Sequence, residues 1–250
     1  MQAAKHPISR IFARASVAYS GCNLCRSRRG VAGLEFAMLA PLLISIIAGL
    51  YDLTTAYIAW ERLNLCVQSV DQIATSQAAR ATATNTLTFA QATTAASSIY
   101  AYLPDTLTAA APPFGVTISS VVMTPTVAGC ITNCTYSAHV AWSGIYQGTA
   151  GSRRPCDVAA GSSVIIQAAD TAAPTPTTLP SDVYSSAPLL VADITYTFKP
   201  LFYNFIGSFT MRQSAYFASR TALTSNWIQY VYSAPDSTTI CAGYPSAAPS

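Results

Sequence analysis

The sequence predicts an α+β protein in which a long N-terminal helix, first transmembrane and then amphipathic, packs on a small antiparallel β-sheet. Three observations carry that expectation. An apolar run follows a basic arm, helical spacing continues beyond the run, and short alternating segments fill the second half.

The apolar run, Val31 to Tyr51, reads VAGLEFAMLAPLLISIIAGLY. As a helix rising about 1.5 Å per residue it covers roughly 31 Å, close to the hydrocarbon thickness of a bilayer. Composition agrees, since 51% of residues are hydrophobic and only 9% charged, far from the soluble average. The net charge of +3 hides an asymmetry: Lys5, Arg10, Arg14, Arg26, Arg28 and Arg29 precede residue 31 and no acid does. The remaining residues carry seven basic against ten acidic groups. A basic arm ahead of a membrane-length run points to retention on the cytoplasmic side, not to nucleic acid. A cleaved secretory signal shares the basic and apolar regions, but its core is shorter and ends at small residues before a folded domain. Here the helical pattern runs on.

Past the run, Trp60, Leu63, Val67, Val70 and Ala74 recur at three- and four-residue spacing, with Glu61, Arg62, Gln68, Asp71 and Gln72 between them. No Gly or Pro interrupts from Leu50 to Leu103. Two arrangements fit: one helix projecting from the bilayer, or two helices with a break near Thr82 to Asn85. In both, Tyr57 and Trp60 belong near the outer interface. The expected segments are therefore a membrane span over 31–53, a helical extension with a second helix over 54–103, and a β-rich head over 104–250.

In the head, Val116 and Ile118 alternate with Thr117 and Ser119. Tyr136, Ala138, Val140 and Trp142 share one face of a second run; Ala192, Ile194, Tyr196 and Phe198 of a third; and Phe209, Met211, Ala215 and Phe217 of a fourth. About four antiparallel strands with one covered face follow, the helix stripe being the cover. Thr171 to Ser186 reads as an exposed Pro/Thr-rich loop, a tolerated surface insertion or a partner-facing segment. Residues 235–250 read as a loop-like tail.

Cys130, Cys134, Cys156 and Cys241 lie beyond the span, an even number in Thr/Ser-rich stretches, which fits an oxidising compartment. Of the three possible pairings, Cys130 with Cys134 and Cys156 with Cys241 is expected, the second tying down the tail. No His lies beside Cys130 or Cys134, so their C-x₃-C spacing is read as a bridge and no metal is expected. Cys22 and Cys25 form a single C-x-x-C in the basic arm, a weak metal or redox signal. Cys66 reads as a buried small residue. His139, the one histidine past the span, reads as structural. No G-x-S-x-G, H-E-x-x-H or phosphate-binding loop occurs, so neither catalysis nor a cofactor is expected.

Glu35 is the anomaly. It sits about one turn inside the apolar run, where a charge costs on the order of 2.5–3.5 kcal/mol on insertion scales, so it needs a partner or a proton. A carboxyl near the interface can stay protonated or snorkel. If the chain is cut between Gly30 and Val31, the new α-amino group, with an ordinary pKa of about 7.7–8.0, supplies a charge that Glu35 of another subunit can meet.

The run Arg28-Arg29-Gly30-Val31-Ala32-Gly33-Leu34-Glu35-Phe36 resembles the processing site of type IV prepilins, above all the tight-adherence (Tad/Flp) group. There a Gly precedes the cut and Glu-Phe or Glu-Tyr fill the fifth and sixth positions after it. Leu39-Ala40-Pro41-Leu42-Leu43, Gly49-Leu50-Tyr51-Asp52 and Arg62-Leu63 extend the likeness to the opening of TadE-like pseudopilins, over about forty residues. Ala192 to Phe202 followed by Phe209 to Arg220 is similar to the terminal strand pair of that family. The length and the Thr/Ser/Pro-rich insertions depart from it and leave TadE, TadF and TadG types open.

The resemblance implies a pilin-like fold and a pseudopilin or minor pilin of a tight-adherence pilus, acting in its assembly or priming and in surface adhesion. It implies removal of residues 1–30 as a leader by a membrane aspartic prepilin peptidase, at a site where Gly30 permits close backbone approach. Its implied partners are that peptidase, other pilins and pseudopilins, the inner-membrane assembly platform and lipid, with the head in the periplasm. Pro41 removes one helix hydrogen bond, so a kink is expected there. The competing functional class is a single-pass, membrane-anchored periplasmic binding protein or adhesin that never enters a filament.

Overall fold

The computed structural model describes residues 29–80, 85–103, 113–149, 151–157, 163–202, 207–219, 227–232 and 236–246, with side chains from residue 33 onward. The basic arm, with Cys22 and Cys25, lies outside these residues. The fold is α+β. Two compact units divide at Ala48 and Gly49. The described part of the first is helix throughout; the second contains the rest of that helix and all the strands.

Helix α1 spans Arg29–Arg80, 52 residues, and its helical backbone continues through Pro41. Within the second unit its buried face is Leu63, Cys66, Val67, Val70, Ala74 and Ala78, none more than 1% exposed. This is the stripe that the three- and four-residue spacing predicts, with one correction at its start. Trp60 is exposed and does not join the cover: it shares the angular position of buried Ala78, but the buried part of the stripe begins only at Leu63. Truncating Leu63 to Ala in this core would cost about 2–5 kcal/mol.

The chain re-enters the described residues at strand β1 (Thr86–Thr88), followed by α2 (Phe89–Ser97) and α3 (Ile99–Tyr102). α1 and α2 are separate elements with a short strand between them that no alternation announced; of the break expected near Thr82 to Asn85, all but Asn85 lies outside the described residues. Thr88 starts α2 through a capping box: its hydroxyl accepts the Gln91 N–H at 3.3 Å, and the Gln91 side chain accepts the Thr88 N–H at 2.9 Å.

The central sheet has five strands in the order β7-β6-β2-β3-β9, all antiparallel. They are β2 (Phe114–Pro125), β3 (Tyr136–Gly148), β6 (Leu189–Phe198), β7 (Phe209–Ala218) and β9 (Thr239–Ile240). Gly148 ends β3 at φ +67, and a Cβ there would sit 1.9 Å from the Phe114 carbonyl oxygen, so only glycine fits. Ala192, Ile194 and Ala215 face α1, as the alternation requires.

Trp142 corrects the second alternating run. The pairing shifts between Ser120 and Val121, so that Ser120 opposes Trp142 while Val121 opposes Val140. The extra residue, Ala141, is a β-bulge that turns Trp142 to the helix side while Ala138 and Val140 stay on the other. There the indole donates to the Ile228 carbonyl at 2.7 Å and its ring lies 5.0 Å from that of Tyr230. Tyr230 belongs to β8 (Gln229–Val231), which pairs in parallel with β1.

A third correction concerns the far face of the sheet, which is not open. A second core of Val121, Met123, Ala138, Val140, Leu189 and Val191 is closed by Ile165, Leu179 and Cys241. The Pro/Thr-rich connection is thus no simple exposed loop. It contributes β5 (Thr178–Pro180), paired in parallel with β4 (Ile166–Ala168), and its Leu179 is fully buried. The tail likewise adds β9 to the sheet edge beside β3. Both segments lack periodicity because each contributes only one or two inward side chains.

Candidate functional site

The residues singled out for processing and assembly lie at the start of α1. Gly30 and Val31 fall in its first turn. Glu35 and Phe36 are exposed, Phe36 by 66%, and so are the large apolar side chains from Leu34 to Leu50. An 18-residue window here has a mean hydropathy of 2.0, and none of it is buried inside the protein. A core helix of a soluble domain can match the length and hydropathy, but its apolar side chains are covered; these are bare.

The hydroxyl groups of Ser45, Thr54 and Thr55, in the run and just past its end, fold back on the helix. Ser45 Oγ donates to the Leu42 carbonyl at 2.8 Å, Thr54 Oγ1 to Leu50 at 2.7 Å and Thr55 Oγ1 to Tyr51 at 3.0 Å. Hydroxyls satisfied within their own helix present no unpaired polar group to an apolar solvent.

Directly after the run comes Asp52, half of a contact that sequence reasoning missed. Its carboxylate accepts the Leu201 N–H at 2.9 Å and the Phe202 N–H at 3.1 Å, and the Phe202 ring meets Tyr51 edge-on at 5.5 Å. Asp52 and Leu201 are 149 residues apart, so no local pattern could pair them. This clamp joins the turn after β6 to the foot of the α1 segment in the second unit.

Two further polar groups are buried in the head. Asp71 lies on the α1 face that meets the sheet and is fully buried, with its carboxyl turned to the Ala192 and Phe217 backbone but neither oxygen closing a hydrogen bond. Burial, and then the charge of Asp193, hold this carboxyl well above the usual range. This corrects the sequence reading, which sets Asp71 among the polar residues between the apolar ones: it lies one helical turn from Val67 and Ala74 and shares their buried face.

On the opposite face Arg154, 1% exposed, makes a two-pronged ion pair with Asp193, Nε to Oδ2 at 2.8 Å and Nη2 to Oδ1 at 2.9 Å. Its Nη1 donates to the Thr178 carbonyl at 3.0 Å, and its backbone N–H donates to Ser143 Oγ at 3.0 Å. Ser214 also donates to Asp193. Burial opposes the guanidinium charge, but Asp193 outweighs it and holds the proton more firmly than water would.

His139 bridges Ser137 and Asp157: Nε2 is 2.9 Å from Ser137 Oγ and Nδ1 is 2.6 Å from Asp157 Oδ2. The order hydroxyl, imidazole, carboxylate is also that of a nucleophilic triad. Here each end has a second engagement, Ser137 Oγ with Thr124 Oγ1 at 2.9 Å and Asp157 Oδ1 with the Val164 N–H at 3.0 Å. These contacts fasten the segment after Cys156 to β3.

The cysteines pair as expected, Cys130 with Cys134 and Cys156 with Cys241. Cys66 is unbridged and buried, with its thiol pushed up to about 12 by burial, which leaves almost no thiolate near neutral pH. Comparison of the chain with protein-family models, with curated proteins and with solved structures finds no match.

Proposed function

We propose that the chain is a membrane-anchored subunit of a prepilin-type filament system, a pseudopilin or minor pilin of the tight-adherence class that helps to assemble or prime an adhesive pilus. A single helix anchors it in the inner membrane, with the disulfide-bonded head in the periplasm. A peptidase cut after Gly30 frees Val31, and the new amino terminus pairs with Glu35 of a neighbouring subunit as the helices pack.

One observation carries this reading above the others. Glu35 is an exposed acid on the bare apolar part of α1, five residues into the segment that a cut after Gly30 would leave at the N-terminus. An acid there lacks water inside a membrane and, among the described residues, makes no hydrogen bond on its own helix, so a cation from another subunit is the simplest answer. The two disulfides fit an oxidising compartment for the head.

The test is the intact mass and N-terminal sequence of the membrane-extracted protein, together with pilus production by Glu35→Ala cells. The mature chain should begin at Val31, and the substitution should abolish or strongly reduce piliation without removing the protein from the membrane. A chain still beginning at Met1, with piliation unchanged in the variant, would instead identify an anchored periplasmic binding protein or adhesin.

A further inference from the structure

We propose that Leu201 and Phe202, in the turn after β6, form a second membrane contact: a lipid-facing foot that rests the head on the outer surface of the bilayer spanned by α1. The proposal depends on the reading of α1 as a membrane anchor.

The two side chains are exposed by 67% and 56%, adjacent, and large. Across the hairpin Phe209 is 46% exposed, its ring 5.2 Å from that of Phe198. These three side chains make an uncovered apolar edge, and a water-facing edge of that kind marks a contact surface. Its occupant follows from where the edge is tied. Both N–H groups of Leu201 and Phe202 are held by Asp52, and Asp52 is the first charged residue after the apolar run that ends at Tyr51. One residue of helix is about 1.5 Å, so the clamp lies at the level where the hydrocarbon ends.

The surroundings fit that depth. Tyr51, Tyr57 and Trp60 are exposed on the same stretch of α1, as in an aromatic belt, and exposed Lys199 flanks the turn where phospholipid headgroups would lie. The clamp also answers a chemical need. An acid at the membrane boundary is costly unless hydrogen-bonded, and Asp52 spends its charge on two backbone donors while the side chains of those same residues remain outside. The opposite end of the sheet supplies a contrast. The turn between β2 and β3 lies at the far end of the strands from Tyr196 and Phe198, since Phe114 pairs with Tyr196 and Val121 with Leu189. Its exposed Ile131 therefore points away from the foot's end of the head.

The experiment places a photo-crosslinking benzoylphenylalanine at position 201, at 42 in the apolar run, or at 131, one per full-length chain. Each chain is reconstituted into vesicles of phosphatidylethanolamine and phosphatidylglycerol, irradiated, and read by intact mass. Lipid adducts are expected at 42 and 201, several-fold above those at 131. Asp52→Asn should lower the yield at 201 relative to 42 by releasing the turn. Adducts at 42 but not at 201, equal labelling at 201 and 131, or crosslinking from 201 to a second copy in place of lipid would each overturn the foot and leave the anchor standing. Absence of lipid adducts at 42 would overturn the anchor itself.

Discussion

The two faces of the central sheet are closed by different means. On one side α1 and α2 lay down an almost wholly apolar stripe, Asp71 excepted. On the other an irregular stretch is held by Leu179, the Arg154–Asp193 pair and the Cys156–Cys241 bridge. A helix satisfies its own backbone hydrogen bonds, so it covers a sheet with side chains alone. An irregular segment must find partners for its carbonyls, and Arg154 supplies one by donating to Thr178 while anchored on Asp193. The difference teaches that an apolar stripe suffices where the cover is regular, and that point fastenings take over where it is not.

Removing those fastenings should break the irregular cover first. The largest effect is expected from Cys156→Ser with Cys241→Ser. This bridge spans 85 residues, and the loop-entropy scale gives about 4.5 kcal/mol for it, against about 2 kcal/mol for the bridge from Cys130 to Cys134, which spans four. Denaturant melts of the two double variants in detergent measure both. Equal losses would show that the tail is held without its bridge.

Arg154→Ala should follow, with a loss of about 3–5 kcal/mol, because it leaves Asp193 buried and unpaired. Pairing Arg154→Met with Asp193→Leu should recover most of that loss in the same melts. If the double variant melts no higher than the single one, the arginine's hydrogen bonds to the cover, and not the ion pair, set its worth.

At any one pH near the unfolded value the smallest effect belongs to the helix-covered face, and it grows with pH. The Asp71 carboxyl titrates well above its unfolded value, so between the two values the folded chain binds the extra proton. Stability is then greatest below the unfolded value of about 4 and declines as pH rises toward the folded value, by up to about 1.4 kcal/mol per pH unit. Asp71→Asn should flatten that decline and raise the midpoint of thermal unfolding near pH 7.5. A variant with the parent's pH profile would mean that Asp71 does not set it.

Legibility followed the same divide. The membrane-length run, the stripe from Leu63 to Ala74 and the inward faces of β6 and β7 were readable because each is a local period, and the even count of cysteines beyond the run announced two bridges without fixing which of three pairings they make. The bulge at Ala141 was not, since one inserted residue reverses every side chain after it and leaves the composition unchanged. Leu179 was hidden by its Pro/Thr-rich surroundings. Asp71 was grouped with the polar residues between the stripe positions, and its burial was not legible, since an acid is rarely fully buried.

What the sequence determined alone is the long apolar helix of membrane-spanning length, its acid at Glu35 and the apolar stripe beyond. Periodicity and hydropathy express forces that act along a few turns of one helix. What only the tertiary structure decided is which distant groups meet: Asp52 with Leu201 and Phe202, Arg154 with Asp193, and Leu179 with the back of the sheet. Such pairs are chosen by chain topology, and each partner taken singly looks like an ordinary polar or apolar residue in a loop.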